Sequence, residues 1–348
     1  MSIRVLIVDD SATARAVLKE MLNSAPGIEV AGVCPDAYTA RDKIDELKPD
    51  VVCLDVEMPR MDGVTFLKKL MRYMPTPVLM VSSLTREGAK TTLDALEAGA
   101  IDYVTKPHSN IYDGAEEIKK ELIEKVKIVA KAKVQPKLPP TSKPTQASYH
   151  NTALAETTKK IIAIGASTGG TEAIKVVLSK LPATTPGIVI VQHMPPSFTK
   201  AFATRLNSLC DMEVKEAENG EYIETGKVLI ANGSYHMVVR RSGARYYVEL
   251  GGGQKVSGHK PSVDVLFNSV AKNVGANALG VILTGMGADG AKGMLNMKNA
   301  GSKTIAQDER TCVVFGMPKV AIDLGGVQKI CPLDRIPQEM LTTIETMR

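Results

Sequence analysis

The chain has 348 residues, which is long enough for two domains that each bury a core. Its hydrophobic fraction of 44% and charged fraction of 23% are those of an ordinary globular protein. The formal net charge of +5 is small and the basic residues are dispersed, which argues against a nucleic-acid-binding protein.

The sequence shows no mark of export or of membrane insertion. The first ten residues, MSIRVLIVDD, turn acidic as no signal peptide does, and no apolar run approaches the length of a membrane span. The five cysteines are scattered and never stand in C-x-x-C spacing. This usage predicts reduced thiols in a cytoplasmic protein, without a disulfide framework or a zinc site.

The N-terminal half alternates short apolar runs with helical stretches. Repeated βα units of this kind predict a parallel sheet with helices on both faces. The predicted strands are Ile3–Val8, Val30–Cys34, Val51–Leu54, Val78–Val81 and a short one that ends at Tyr103-Val104. In such a sheet, functional groups gather at the carboxyl ends of the strands.

Three carboxylates, those of Asp9, Asp10 and Asp55, fall at these predicted strand ends, and Lys106 follows the last strand. Carboxylates that converge repel one another unless a cation joins them, and hard oxygen ligands suit Mg²⁺. A pocket with a divalent ion and a lysine can accept a phosphoryl group on one carboxylate. The alternative is that the aspartates only cap the helices that follow them.

The segments VDD, LDVEMPRMDG, MVSS and DYVTKP, in this order, resemble the response-regulator receiver family over about residues 1–125. The resemblance implies a flavodoxin-like (βα)5 fold in which Asp55 takes phosphate from a histidine kinase. The implied magnesium ligands are Asp9, Asp10, Asp55 and the backbone carbonyl of Glu57. The implied switch residues are Ser82, Tyr103 and Lys106, and we expect a cis bond between Lys106 and Pro107.

A helix and a tether separate the two halves of the chain. Glu116–Val134 is amphipathic with apolar residues at helical spacing, which predicts the closing helix of the first domain. Gln135–His150 contains four prolines and predicts an extended, semi-rigid tether. We therefore expect a receiver domain at 1–125, the helix end and a proline-rich linker at 126–157, and a second domain at 158–348.

The second domain begins with the apolar run Ile161–Ile164, the glycine turn Gly165–Gly170 and a helical stretch. The turn spells G-x-S-x-G around Ser167, the pattern of an exposed nucleophile held beside the N–H donors of a helix start. Ser167 or Thr168 could instead be only a helix N-cap. A nucleotide-binding loop is a further alternative, but the turn matches neither of the common phosphate-binding patterns.

His193 and Asp289 each follow another predicted buried strand, PGIVIVQ and LGVIL. With Ser167 they supply a nucleophile, a base and an orienting carboxylate at one edge of a sheet. Asp289 could instead be a helix N-cap. The rival histidines are His108 in the receiver, His150 in the tether, His236 at a strand start and His259 in a glycine-rich loop.

The segments GASTGG, QHMPPSFT, SGHKPSVDVLF and LTGMGADGAKG, in this order, resemble the catalytic domain of the chemotaxis protein-glutamate methylesterase family over about residues 158–348. The implied fold is a doubly wound α/β domain with a mostly parallel sheet and an antiparallel hairpin. The implied catalytic residues are Ser167, His193 and Asp289. The implied oxyanion and substrate site involves Thr168 and the backbone N–H of Met286, without a metal.

The resemblance further implies a phosphorylation-activated serine esterase that releases methanol from glutamate γ-methyl esters on chemoreceptors. Some members of the family also deamidate receptor glutamines. The expected partners are a chemotaxis histidine kinase and the cytoplasmic helices of methylated receptors. The alternative, a non-enzymatic regulator such as a transcription factor, lacks a helix-turn-helix pattern and a concentrated basic face.

Overall fold

The computed structural model describes residues 2–83, 85–106, 115–132, 134 and 160–347. The chain divides into two compact units, Met1–Thr145 and Gln146–Arg348. The expected Lys106–Pro107 cis bond, His108 and the predicted tether with His150 lie outside the described residues. None of the described helices is long and apolar enough to cross a bilayer.

The first unit contains a five-stranded parallel sheet of order β2-β1-β3-β4-β5. Its strands are β1 (Ile3–Val8), β2 (Ile28–Cys34), β3 (Val51–Asp55), β4 (Val78–Ser82) and β5 (Asp102–Thr105). Its described helices are α1 (Ala12–Asn23), α2 (Ala37–Leu47), α3 (Gly63–Tyr73), α4 (Arg86–Ala98) and α5 (Ala115–Val129). The strand order is that of flavodoxin-like folds, which confirms the predicted class.

The predicted closing helix is shorter than its amphipathic pattern. α5 ends at Val129, whereas the apolar periodicity extends to Val134. The chain tightens after Val129, because the N–H groups of Lys131 and Ala132 donate to carbonyls only three residues back. Tight turns of this kind commonly end an α-helix.

The second unit contains a seven-stranded sheet of order β14-β13-β12-β6-β7-β9-β8, and every described pairing in it is parallel. Its strands are β6 (Ile161–Ala166), β7 (Ile188–Gln192), β8 (Glu213–Glu216), β9 (Lys227–Ile230), β12 (Ala278–Ile282), β13 (Lys303–Gln307) and β14 (Lys329–Cys331). A separate antiparallel hairpin joins β10 (His236–Ser242) to β11 (Arg245–Gly251), as predicted.

Helices pack on the sheet of the second unit. They are α6 (Gly170–Leu178), α7 (Pro196–Asn207), α8 (Val263–Asn273), α9 (Ala291–Asn299), α10 (Met317–Asp323) and α11 (Ile336–Thr346). The central strands β6, β7 and β12 are buried along their whole length, as their continuous apolar sequences predict.

The register of the central strands places their carboxyl ends at one level. Gly165 of β6 pairs with Ile282 of β12, and Ala166 pairs with Gln192 of β7. The contact continues beyond the strands, because the His193 N–H donates to the Ala166 carbonyl at 3.1 Å. The three loops that follow these strands therefore begin side by side at one edge of the sheet.

Candidate active site and phosphorylation site

Ser167 is the first residue after β6, in a turn that glycine makes possible. Its N–H donates to the Thr284 carbonyl at 3.0 Å, and its carbonyl accepts from the Gly170 N–H at 2.7 Å. Gly169 has a φ of +75°, which disfavours other residues, and it is the N-cap of α6 without a side-chain cap. Neither Ser167 nor Thr168 caps this helix, so the alternative based on capping fails.

His193 follows β7 and contacts Asp289. Its Nε2 lies 2.8 Å from Asp289 Oδ2, and the exposed fractions of the two side chains are 8% and 1%. Its other ring nitrogen, Nδ1, is buried and has no hydrogen-bond partner among the described residues. With Nε2–H donated to the carboxylate, Nδ1 is the nitrogen that can accept a proton.

The Asp289 carboxylate lies against the N-terminus of α8. It does not cap α9, the helix that follows it in the sequence, because the N-cap of α9 is Gly290. Its carboxylate accepts from Ser262 Oγ at 2.8 Å and from the N–H groups of Val263 and Asp264 at 2.7 and 3.1 Å. These groups belong to the first turn of α8, where unpaired N–H groups favour an anion.

The same contacts determine the charge of Asp289. Burial by itself would raise the pKa of this carboxyl. The hydrogen bond and charge of His193, with the hydrogen bonds from Asp264 N–H and Ser262, outweigh burial and hold the pKa below its ordinary value. Asp289 is therefore a fixed anion that orients the His193 ring.

Of the rival histidines, His236 has a structural role and His259 lies in the site. The Nδ1 of His236 accepts from the Ser262 N–H at 3.2 Å, and its Nε2 contacts the Gln254 carbonyl at 2.9 Å. Both of its nitrogens are therefore occupied. The His259 ring stacks on His193, with 3.7 Å between ring centroids and 10° between planes.

The loop that carries Met286 lies directly against Ser167. A Cβ at Gly285 would stand 2.8 Å from the Ser167 Cβ, so only glycine allows this approach. The Met286 N–H has no acceptor among the described residues, whereas the Gly285 N–H donates to Val314. Thr168 is buried, and its carbonyl accepts from Thr284 Oγ1 at 3.0 Å.

Three supporting residues were not named from the sequence: Gln192, Ser262 and Thr284. Each is buried and donates a side-chain hydrogen bond to a group of the site. The signal in the sequence was weak, since a single polar residue at the end of an apolar strand has many possible roles. Gln192, after the run IVIV, was the most visible of the three.

In the first unit, the carboxylates of Asp9, Asp10 and Asp55 offer oxygens that lie within 4.8 Å of one another. Lys106 Nζ lies 2.9 Å from Asp9 Oδ2 and 2.7 Å from Asp55 Oδ2. The N-caps of the helices that follow are Ser11 and Asp62, so none of the three carboxylates is an N-cap there. The capping alternative therefore fails.

The acidic cluster suits a divalent cation. One lysine cannot neutralise three carboxylates, and Asp9 and Asp55 are both buried. Burial raises the pKa of Asp55 to about 6; Lys106 opposes this shift and the charge of Asp9 adds to it. Hard oxygen donors with excess negative charge are the ligands that Mg²⁺ prefers.

The other predicted receiver residues surround this cluster. The Glu57 N–H donates to Asp55 Oδ1 at 3.2 Å, and the Lys106 N–H donates to the Ser82 carbonyl at 2.7 Å. The Ser82 hydroxyl accepts from Thr92 Oγ1 at 2.6 Å, a contact with α4. Tyr103 is buried.

Two family models match the chain. The CheB methylesterase model matches residues 162–340, and the response regulator receiver domain model matches residues 5–113. The chain belongs to the CheB methylesterase family. Both resemblances drawn from the sequence are thereby confirmed.

Relatives match along nearly the whole chain. A Sulfurimonas denitrificans protein named protein-glutamate methylesterase/protein-glutamine glutaminase is 62% identical over 343 residues, 97% of each chain. A Syntrophus aciditrophicus protein with the same name and the number 2 is 54% identical over 342 residues, 98% of this chain and 99% of its own. The crystal structure of the Thermotoga maritima CheB methylesterase catalytic domain, 40% identical, covers 53% of this chain and 98% of its own with a TM-score of 0.52.

Asp264→Asn should raise the thermal midpoint of the second unit at pH 7. Burial, together with the charge of Asp289, raises the pKa of Asp264. A carboxyl group whose pKa is raised by folding destabilises the folded state when it is ionised. This cost is complete above the pKa of the folded state and vanishes as the pH falls below the pKa of the unfolded chain. Asparagine retains the acceptor for the Gly293 N–H, which lies at 2.7 Å.

Calorimetry of the full chain at several pH values tests this. The gain at pH 7 should shrink as the pH falls toward the unfolded value of 3.8. The control is Asp323→Asn, which changes an exposed carboxylate at the end of α10 and should leave the midpoint unchanged. A lower midpoint of Asp264→Asn at pH 7 would contradict the prediction.

Proposed function

We propose that this chain is a phosphorylation-activated esterase that hydrolyses the γ-methyl esters of glutamate side chains on chemoreceptors and releases methanol. The observation that carries the proposal is the Asp289-bound His193, with a buried and unpartnered Nδ1, in the loop beside Ser167. The names of the full-length relatives support the substrate class.

In this mechanism, Ser167 Oγ attacks the ester carbonyl as His193 Nδ1 takes the hydroxyl proton. Asp289 holds the Nε2–H and stabilises the imidazolium that forms. The Nδ1 proton then passes to the departing methoxide, and methanol leaves. Water, deprotonated by the same nitrogen, attacks the acyl-enzyme and releases the glutamate carboxylate and Ser167.

The developing oxyanion needs N–H donors near Ser167. The Met286 N–H, which lacks an acceptor in the described part of the chain, supports this role. Thr168, the residue after the nucleophile, lies in the same turn. A receptor glutamine presents an amide in place of the ester, and the same acyl-enzyme would release ammonia, as the second part of the relatives' name indicates for them.

For the first unit, we propose that Asp55 accepts a phosphoryl group from a chemotaxis histidine kinase. Asp9, Asp10, Asp55 and the Glu57 carbonyl would hold Mg²⁺, which supplies charge neutralisation for the incoming group. Lys106 pairs with Asp9 and Asp55 and would stabilise the phosphoryl oxygens. Ser82 would leave Thr92 and turn to the phosphate, and the buried Tyr103 would move with it.

The domain assignment stays as proposed from the sequence: a receiver at 1–125, the end of the closing helix and a proline-rich linker at 126–157, and a catalytic domain at 158–348. We place the activity of this chain in the cytoplasm, because the proposed substrates are the cytoplasmic helices of the receptors.

Ser167→Ala should lower methanol release from methylated receptor by about 10⁴-fold or more, because loss of a triad member removes covalent catalysis. His193→Ala should have a comparable effect. His259→Ala should be much milder, since we assign the base to His193 and His259 stacks on its ring. Ser208→Ala, an exposed serine at the end of α7, is the control and should keep full activity.

Two outcomes would contradict these assignments. Activity of Ser167→Ala within tenfold of the unmodified chain would remove Ser167 from the mechanism. A larger loss in His259→Ala than in His193→Ala would show that His259 is the base.

Asp55→Asn should abolish phosphorylation by the kinase or by a small phosphodonor. It should also abolish the rise in methanol release that the phosphodonor causes in the unmodified chain, and excess EDTA should do the same. Asp45→Asn, an exposed carboxylate of α2, is the control and should change neither. Labelling that persists in Asp55→Asn or in EDTA would refute the assignment.

A further inference from the structure

Gln192 joins the two loops that carry the proposed nucleophile and base. It is the last residue of β7, immediately before His193, and 4% of its surface is exposed. Its Nε2 donates to the Ser167 carbonyl at 2.9 Å and to the His193 carbonyl at 3.2 Å. One amide group therefore contacts the backbones of both residues.

The chemistry of the partners fixes the orientation of this amide. Both partners are carbonyl oxygens, which can only accept, so the NH₂ group must face them and Oε1 must point away. Oε1 is buried and has no hydrogen-bond partner among the described residues. A Cβ on residue 170 would lie only 2.1 Å from Oε1, so the position beside this oxygen requires glycine, Gly170.

An unpaired buried acceptor costs folding free energy. The preceding residues of β7 are apolar, and an apolar residue at position 192 would avoid this cost. Side chains that lower stability are found mainly at functional sites, where another part of the same side chain is needed for function. Here the atoms that remain are the two N–H groups directed at Ser167 and His193.

We propose that Gln192 is a positioning residue for the esterase reaction. Its two hydrogen bonds hold the β6–α6 turn and the β7–α7 loop in one arrangement, which sets Ser167 Oγ relative to His193 Nδ1. The role rests on the proposed function, since it acts through those two residues. Without the bridge, the carbonyls lose their shared donor and the two loops can separate, and a small displacement of reacting groups costs rate steeply.

The test is the rate at which a fluorophosphonate labels Ser167 in the full chain. In this reaction Oγ bonds to phosphorus, fluoride leaves and His193 takes the proton. Gln192→Met has a similar shape and no N–H donors. We expect its labelling rate and its kcat on methylated receptor each to fall at least tenfold, while its KM stays within twofold. Its thermal midpoint should be no lower than that of the control variant, Asn273→Leu.

The matched control is Asn273→Leu. The Asn273 amide also donates to two backbone carbonyls, those of Val239 at 2.9 Å and Ser269 at 3.0 Å, at the far end of α8. It should lower the thermal midpoint and leave labelling within twofold. If Gln192→Met does not fold, Gln192→Leu replaces it, with the same expected changes in labelling rate, kcat, KM and thermal midpoint.

The outcomes separate the two claims. If the unmodified chain is labelled at Ser167 and the folded Gln192 variant is labelled within twofold of it, the positioning role is overturned and the esterase mechanism stands. A loss that the control reproduces, or a change in KM at constant kcat, also overturns the positioning role. If the unmodified chain is not labelled at all, the proposed function fails and the inference fails with it.

Discussion

The esterase site depends on the contact between Asp289 and the first turn of α8. This carboxylate follows β12, accepts hydrogen bonds from Ser262, Val263 and Asp264, and holds His193 at 2.8 Å. It thereby connects a loop at the sheet edge to a helix and to the proposed base, His193. Because these donors outweigh the effect of burial, the anion is stable where an unpaired buried carboxylate would take up a proton.

The two units place carboxylates at the same kind of edge with opposite electrostatic results. Asp289 has several donors of its own, and its pKa is lowered. Asp55 shares Lys106 with the neighbouring Asp9, and burial raises its pKa to about 6. The first arrangement fixes a charge for orientation. The second leaves unneutralised charge, which suits a cation and a group that changes its chemical state.

The sequence predicted the sheets because their central strands are short, continuous apolar runs. It also placed Ser167, His193 and Asp289 at one edge, since each follows such a run. The strands β8 and β14 were not named: β8 reads EVKE and β14 has three residues, so neither shows an apolar run. β13, KTIAQ, was missed because polar residues flank its apolar centre.

The detailed contacts of the site were beyond sequence reasoning. His259 lies in a loop distant in sequence from His193, and nothing in its spacing indicates that the two rings stack. The bridge from Gln192 depends on a turn 25 residues earlier in the chain. Such contacts follow from strand order and register, which local propensity does not encode. The family resemblance indicated the segments that carry the proposed catalytic residues, but not the contacts that position them.

The protonation of the His193 ring tests the account most directly. ¹⁵N NMR of the histidine side chains in the full chain, assigned with His193→Gln, reports which nitrogen of the neutral ring carries hydrogen. The account predicts hydrogen on Nε2, bonded to Asp289, and an unprotonated Nδ1 that serves as the base. A neutral His193 with hydrogen on Nδ1 would contradict it.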